Sequence, residues 1–158
     1  SSARLESYDG CVAVDVETSI EIERPRSVVA DYVSDPGNAR NWYVNITSVE
    51  WRTSPPAVVG SRIAFVARFL GRQIAYTYEV RDVVANERFV MSTAEGSFPM
   101  ETTYTWQDTQ SGGTRMTLRN AGEPSGFSRM AAPVMSAAIR RANQKDLTRL
   151  KTILEAHP

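Results

Sequence analysis

The sequence predicts an α+β fold in which a curved antiparallel sheet of about seven strands wraps around a long C-terminal helix, with two short helices after the first strand. Three observations carry this expectation. Apolar and polar residues alternate near the N-terminus. Residues 43–121 divide into short alternating runs joined by tight turns. From Gly126 the apolar period changes from two to about 3.6.

The first strand follows from Val12, Val14, Val16, Ile20 and Ile22 on one face and Ala13, Asp15, Glu17, Ser19 and Glu21 on the other; Thr18 is the one polar residue on the inward side. Arg24-Pro25 changes the element, because proline suits the first turn of a helix, where its missing N–H has no partner to lose. Val28, Val29, Tyr32 and Val33 continue at helical spacing. Asp35-Pro36-Gly37 stops that helix, and Asp35 with Pro36 caps a second short one through about Trp42.

Strand two covers about residues 44–53, with Val49 and Trp51 alternating, and Pro55-Pro56 to Gly60 is a loop. Strand three places Ile63, Phe65, Ala67 and Phe69 on one side, and strand four Ile74, Tyr76, Tyr78 and Val80. Strand five carries Phe89, Met91 and Thr93; strand six Phe98, Met100, Thr102, Tyr104 and Trp106; strand seven Thr114, Met116, Leu118 and Asn120. Turns at Gly71, Asn86, Glu95-Gly96 and Gly112-Gly113 are too short for anything but antiparallel neighbours, so a meander results, closed by the first strand.

From Gly126 onward Phe127, Met130, Val134, Ala138, Ala142 and Leu147 form one stripe, with Met135, Ile139, Leu150, Ile153 and Leu154 beside it. Pro133 is expected to kink this helix or mark a break near its start. The helix is the one element long enough to cover the sheet's apolar face, and a sheet curled around a single helix leaves space between the two. Long aromatics and Met line the inward face of strands three to six, yet Tyr76, Tyr78, Thr102 and Tyr104 stand among them. Buried hydroxyls need partners, and a wall of apolar groups with a few polar ones suits a ligand cavity. The expected wall is Phe65, Phe69, Tyr76, Tyr78, Met91, Phe98, Met100, Thr102, Tyr104, Met116, Phe127, Met130 and Val134, with the site under the N-terminal half of the long helix, around residues 127–134. Burying roughly 300 Å² of apolar ligand there gives on the order of 7 kcal/mol before association costs.

At 158 residues the chain has the size of one domain: residues 1–10 read as a flexible lead-in and 11–158 as a single domain. Eighteen Lys and Arg balance eighteen Asp and Glu, so no global field favours nucleic acid. Cys11 is the only cysteine, so no intrachain disulfide forms and the cytoplasm is the expected compartment. Residues 1–10 lack the apolar stretch of a signal peptide, and no run reaches the length needed to span a bilayer. His157, next to last, reads as a solvated tail residue. One His and one Cys make neither a zinc cluster nor a nucleophilic triad, and no phosphate-binding loop occurs. No catalytic residue, metal or cofactor is therefore expected. Glu101 alternates with Met100 and Thr102 and should face outward, although one bulge would turn it in. Arg140, Arg141, Lys145, Arg149 and Lys151 read as a solvated basic face.

The order strand, two helices, six strands and long helix resembles the SRPBCC superfamily with its START-like, helix-grip fold, and in particular its polyketide cyclase/dehydrase and lipid-transport branch. The residues that carry the likeness are Arg24-Pro25, Asp35-Pro36 with Asn41-Trp42, Ser48-Val49-Glu50-Trp51, Phe69-Leu70-Gly71-Arg72, and Met100-Glu101-Thr102-Thr103-Tyr104-Thr105-Trp106, followed by the long helix. The likeness spans about residues 12–156. It implies a deep hydrophobic cavity and a small hydrophobic ligand such as a lipid, quinone or polyketide, bound or carried without covalent chemistry. It also implies two alternatives: a cyclase or dehydratase using a cavity-facing carboxylate or tyrosine, and a protein-interaction domain of toxin or co-chaperone type, which needs a large exposed apolar patch. Transient membrane contact through an exposed Trp42 and the Pro55 loop is a further expectation by analogy. The glycine-rich loop of the plant allergen branch is missing; Ser54-Pro55-Pro56-Ala57-Val58-Val59-Gly60 stands in its place. The oligomeric state is not legible.

Overall fold

A computed structural model describes residues 13–96, 99–123 and 131–156. One seven-stranded antiparallel sheet runs in the order β1-β7-β6-β5-β4-β3-β2, where β1 is Val14–Ile22, β2 Ile46–Trp51, β3 Arg62–Phe69, β4 Arg72–Val84, β5 Arg88–Glu95, β6 Met100–Asp108 and β7 Thr114–Gly122. Strands β2 to β7 form the expected meander, and β1 closes it beside β7, with Val16 opposite Asn120 and Ile20 opposite Met116. Register shifts between Ile46 and Ser48, Thr77 and Tyr78, and Val80 and Asp82 add local twist, which helps the sheet curl.

Between β1 and β2 lie helix α1 (Arg26–Val33), a single 3₁₀ turn (Pro36–Asn38) and helix α2 (Ala39–Trp42). The Asp35 carboxylate accepts from the Gly37 N–H at 2.9 Å, which fixes the entry to the second turn. Trp42, expected to be exposed, is 1% exposed. The 3₁₀ turn bends the chain so that the indole packs inward against Tyr43 and Tyr104, with ring centroids 4.1 and 5.8 Å away.

The long helix, α3, spans Ala132–Glu155. Pro133 stands in its first turn and starts the helix without kinking it; the expected start near Gly126 lies outside the described residues, as do Phe98, Phe127, Met130, Cys11 and His157. Its buried side chains are Met135, Ile139, Asn143, Asp146, Leu147, Leu150 and Leu154. This stripe runs beside the expected one, so Val134 is 56% exposed while Met135 and Ile139 take the inward positions one turn apart. Two sets of polar contacts clamp the helix. Near its C-terminus, Arg24 Nη1 donates to the Leu154 carbonyl at 2.7 Å, Lys151 Nζ to the Glu21 carbonyl at 2.7 Å, and the Glu23 N–H to Glu155 at 2.8 Å. Further up, Arg149 Nε donates to the Asn41 carbonyl at 2.7 Å and the Val44 N–H to Asp146 Oδ1 at 2.9 Å. The inward face of the sheet and this stripe share one core, with Val16, Ile22, Met116, Leu118, Leu147 and Leu150 fully enclosed.

Candidate functional site

Between the sheet, α2 and the middle of α3 lies a cavity of about 130 Å³. Eight strand residues expected on its wall are there: Phe65, Phe69, Tyr76, Tyr78, Met91, Met100, Thr102 and Tyr104. Period-two alternation on β3 to β6 brings them to one face. The rings of Phe65, Tyr76 and Tyr78 contact one another with centroids 5.0 to 5.8 Å apart. Two expectations differ from the structure. Met116 is wholly buried but lies in the core, opposite Ile20 on β1 and Trp106 on β6, away from the cavity. Val134 lies on the exposed first turn of α3 and does not line the cavity. The helix residues that do line it are Ile139, Ala142, Asn143 and Asp146, so the cavity sits under the middle of α3, one to three turns beyond the expected place.

The inward hydroxyls largely satisfy one another. Tyr78 Oη lies 3.0 Å from Thr102 Oγ1, which donates to Asn120 Oδ1 at 2.8 Å; because that spends the Thr102 proton, Tyr78 is the donor in its own bond. The hydroxyls of Tyr43 and Tyr104 are 2.7 Å apart. Burial pushes the phenol of Tyr78 up to about 12, its bond to Thr102 pulling the other way. Burial also raises Tyr43, Tyr76 and Tyr104 well above the ordinary phenol range, so all four stay neutral hydrogen-bonding groups at any physiological pH.

The ionisable group inside the cavity comes from α3. Glu101 faces outward, as expected, opposite Ala121 on β7 and Ser92 on β5. Asp146 is 4% exposed and lines the cavity; burial raises its carboxyl to about 7, against the opposing pull of the Val44 N–H, Arg149 and Lys145. Its charge acts on Tyr43, Tyr76 and Tyr104. One turn before it, Asn143 is also 4% exposed and lines the cavity, and its Nδ2 has no hydrogen-bond partner. Trp42 Nε1 is likewise enclosed and unpartnered. The clue to Asn143 and Asp146 was present in the sequence: they interrupt the stripe Met135, Ile139, Leu147, Leu150, Leu154 at its centre. Among the described residues, no group of three or more His, Cys, Asp or Glu side chains comes together to hold a metal ion.

The family model described as polyketide cyclase/dehydrase and lipid transport matches residues 13–155. The chain belongs to that family. Its fold is shared with solved structures. A Thermus thermophilus protein superposes with a TM-score of 0.75 at 18% identity, covering 91% of this chain and 99% of that one. A START superfamily protein from Mycobacterium smegmatis gives 0.74 at 11%, covering 91% and 99%. The Zhui aromatase/cyclase of a Streptomyces species gives 0.71 at 13%, covering 89% and 93%. At these identities the likeness is one of fold. No curated protein matches the chain. No helix among the described residues is long and apolar enough to cross a membrane.

Proposed function

We propose that the protein binds or carries a small hydrophobic molecule in the cavity between the sheet and α3. The observation that supports this best is the composition of the wall: aromatic and aliphatic groups from five strands and three helices line a space that also faces an unpartnered amide donor. Filling the space would be favourable, because an empty cavity costs stability in proportion to its volume. The test is native mass spectrometry of the purified protein, with thermal shift across small arenes, quinones and lipids. Wild type should carry or accept a ligand, and Ala142→Leu, which places three more carbons in the cavity, should lose it while staying folded. An unliganded protein with no shift for any compound would contradict the reading.

One observation favours cyclase or dehydratase chemistry as a second reading. Asp146 faces the same cavity, and a carboxyl raised to about 7 is matched to moving protons near neutral pH. On this reading Asp146→Asn abolishes conversion of a β-keto substrate without abolishing its binding; unchanged turnover in the variant would exclude it.

A further inference from the structure

We infer that the polar end of the cavity, built by Asn143 and Asp146, takes the hydroxyl group of a small neutral one-ring molecule: a phenol or a cyclic alcohol. This rests on the carrier reading and narrows it to a ligand class.

Size comes first. An engineered apolar cavity of about 150 Å³ in another protein holds benzene. A space of about 130 Å³ therefore suits one ring with a small substituent, and an acyl chain or a fused polycycle would require α3 or the cavity mouth to move. The slot formed by Phe65, Tyr76 and Tyr78 offers ring faces and edges to such a molecule.

The polar atoms then select the substituent. Asn143 Nδ2 is a donor enclosed without a partner, a state that is costly until a ligand supplies an acceptor. Asp146 Oδ1 receives the Val44 N–H, and a carboxylate with its four lone-pair sites keeps room to accept a further donor from a ligand. The two side chains are three residues apart on one helix face, so their Cβ atoms lie about 5–6 Å apart. A hydroxyl oxygen can accept from Asn143 and donate to Asp146 across that gap, since two such bonds span roughly 5 Å. Once Asp146 is ionised, a ketone or ether only accepts and leaves the carboxylate unserved. A carboxylate ligand would then bring a second acceptor-only charge against Asp146, and among the described wall residues the one cation, Arg68, is solvent-exposed. The neighbouring titratable groups are the phenols of Tyr43, Tyr76 and Tyr104, which stay neutral, and Lys145 and Arg149, which already offset the Asp146 charge and leave little to attract an ammonium.

Isothermal titration of the full chain at pH 8, where Asp146 is ionised, with para-cresol, toluene, para-toluate and para-methylbenzylamine tests this. The expected order is para-cresol tightest, toluene at least tenfold weaker, and both charged probes without detectable binding. Asn143→Leu should bring para-cresol down to the toluene level while toluene itself changes less than twofold. If that variant does not fold, the order of the four probes on wild type decides. Toluene equal to para-cresol, or either charged probe tightest, overturns the hydroxyl assignment and leaves the carrier reading standing. No binding by any of the four overturns the assignment and counts against the carrier reading as well.

Discussion

Asp146 carries a thermodynamic signature that can be read without any ligand. An ordinary Asp carboxyl titrates near 3.9, and in the fold burial raises it to about 7. Between those values the folded chain holds a proton that the unfolded chain has released. The stability this contributes is complete below the unfolded value and is lost as pH rises through the folded one, by on the order of 4 kcal/mol. Asp146→Asn keeps an oxygen for the Val44 N–H and removes the titration. About two thirds of that falls between pH 5 and pH 8, so wild type should lose about 5–10 °C of Tm relative to Asp146→Asn over that interval. Thermal unfolding of both at the two pH values checks this, and parallel pH profiles would show that Asp146 does not titrate near 7. At this scale the sequence revealed little of the polar end. Tyr76, Tyr78, Thr102 and Tyr104 could be placed inward because strand alternation is a local rule. Asn143 and Asp146 interrupt an apolar stripe, and whether a polar interruption faces a cavity or solvent depends on contacts with α2 more than 90 residues away. The partnership of Tyr43 with Tyr104 is non-local in the same way.

At the level of elements, β7 ends at a position only glycine fits. Gly122 lies opposite Val14 on β1 and Met100 on β6, and a Cβ there would run into the Pro99 carbonyl and come within 2.8 Å of Met100 Cα. Both obstacles are backbone, which cannot swing aside. Gly122→Ala should cost about 1–3 kcal/mol, seen as a Tm lowered by several degrees and a lower urea midpoint at unchanged slope; an unchanged midpoint would show that the sheet end is slack. The strands were the most legible elements. Their apolar period survives because one face of the sheet is buried along its length, and Gly71, Asn86, Gly96 and Gly112 mark turns with positive φ. Helix α3 was legible as a helix but not in phase. Placing Ala142 instead of Asn143 on the buried stripe turns it by one residue, enough to exchange buried Met135 for exposed Val134.

For the whole molecule, the fold was legible because every local signal agreed with one topology, and that fold is shared with solved structures that cover 91% of the chain. The ligand was not, because cavity volume depends on how far the sheet curls, which strand bulges and the α3 clamps set together. Whether ligand enters the space under the middle of α3 can be read most directly by methyl-resolved NMR of protein labelled at Met and Ile and titrated with para-cresol. Met91, Met100, Ile74 and Ile139, which line the cavity, should shift, with Met116 unmoved in the core. Shifts at Met116 with Met91 and Met100 silent, or no shifts anywhere at saturating probe, would contradict entry there.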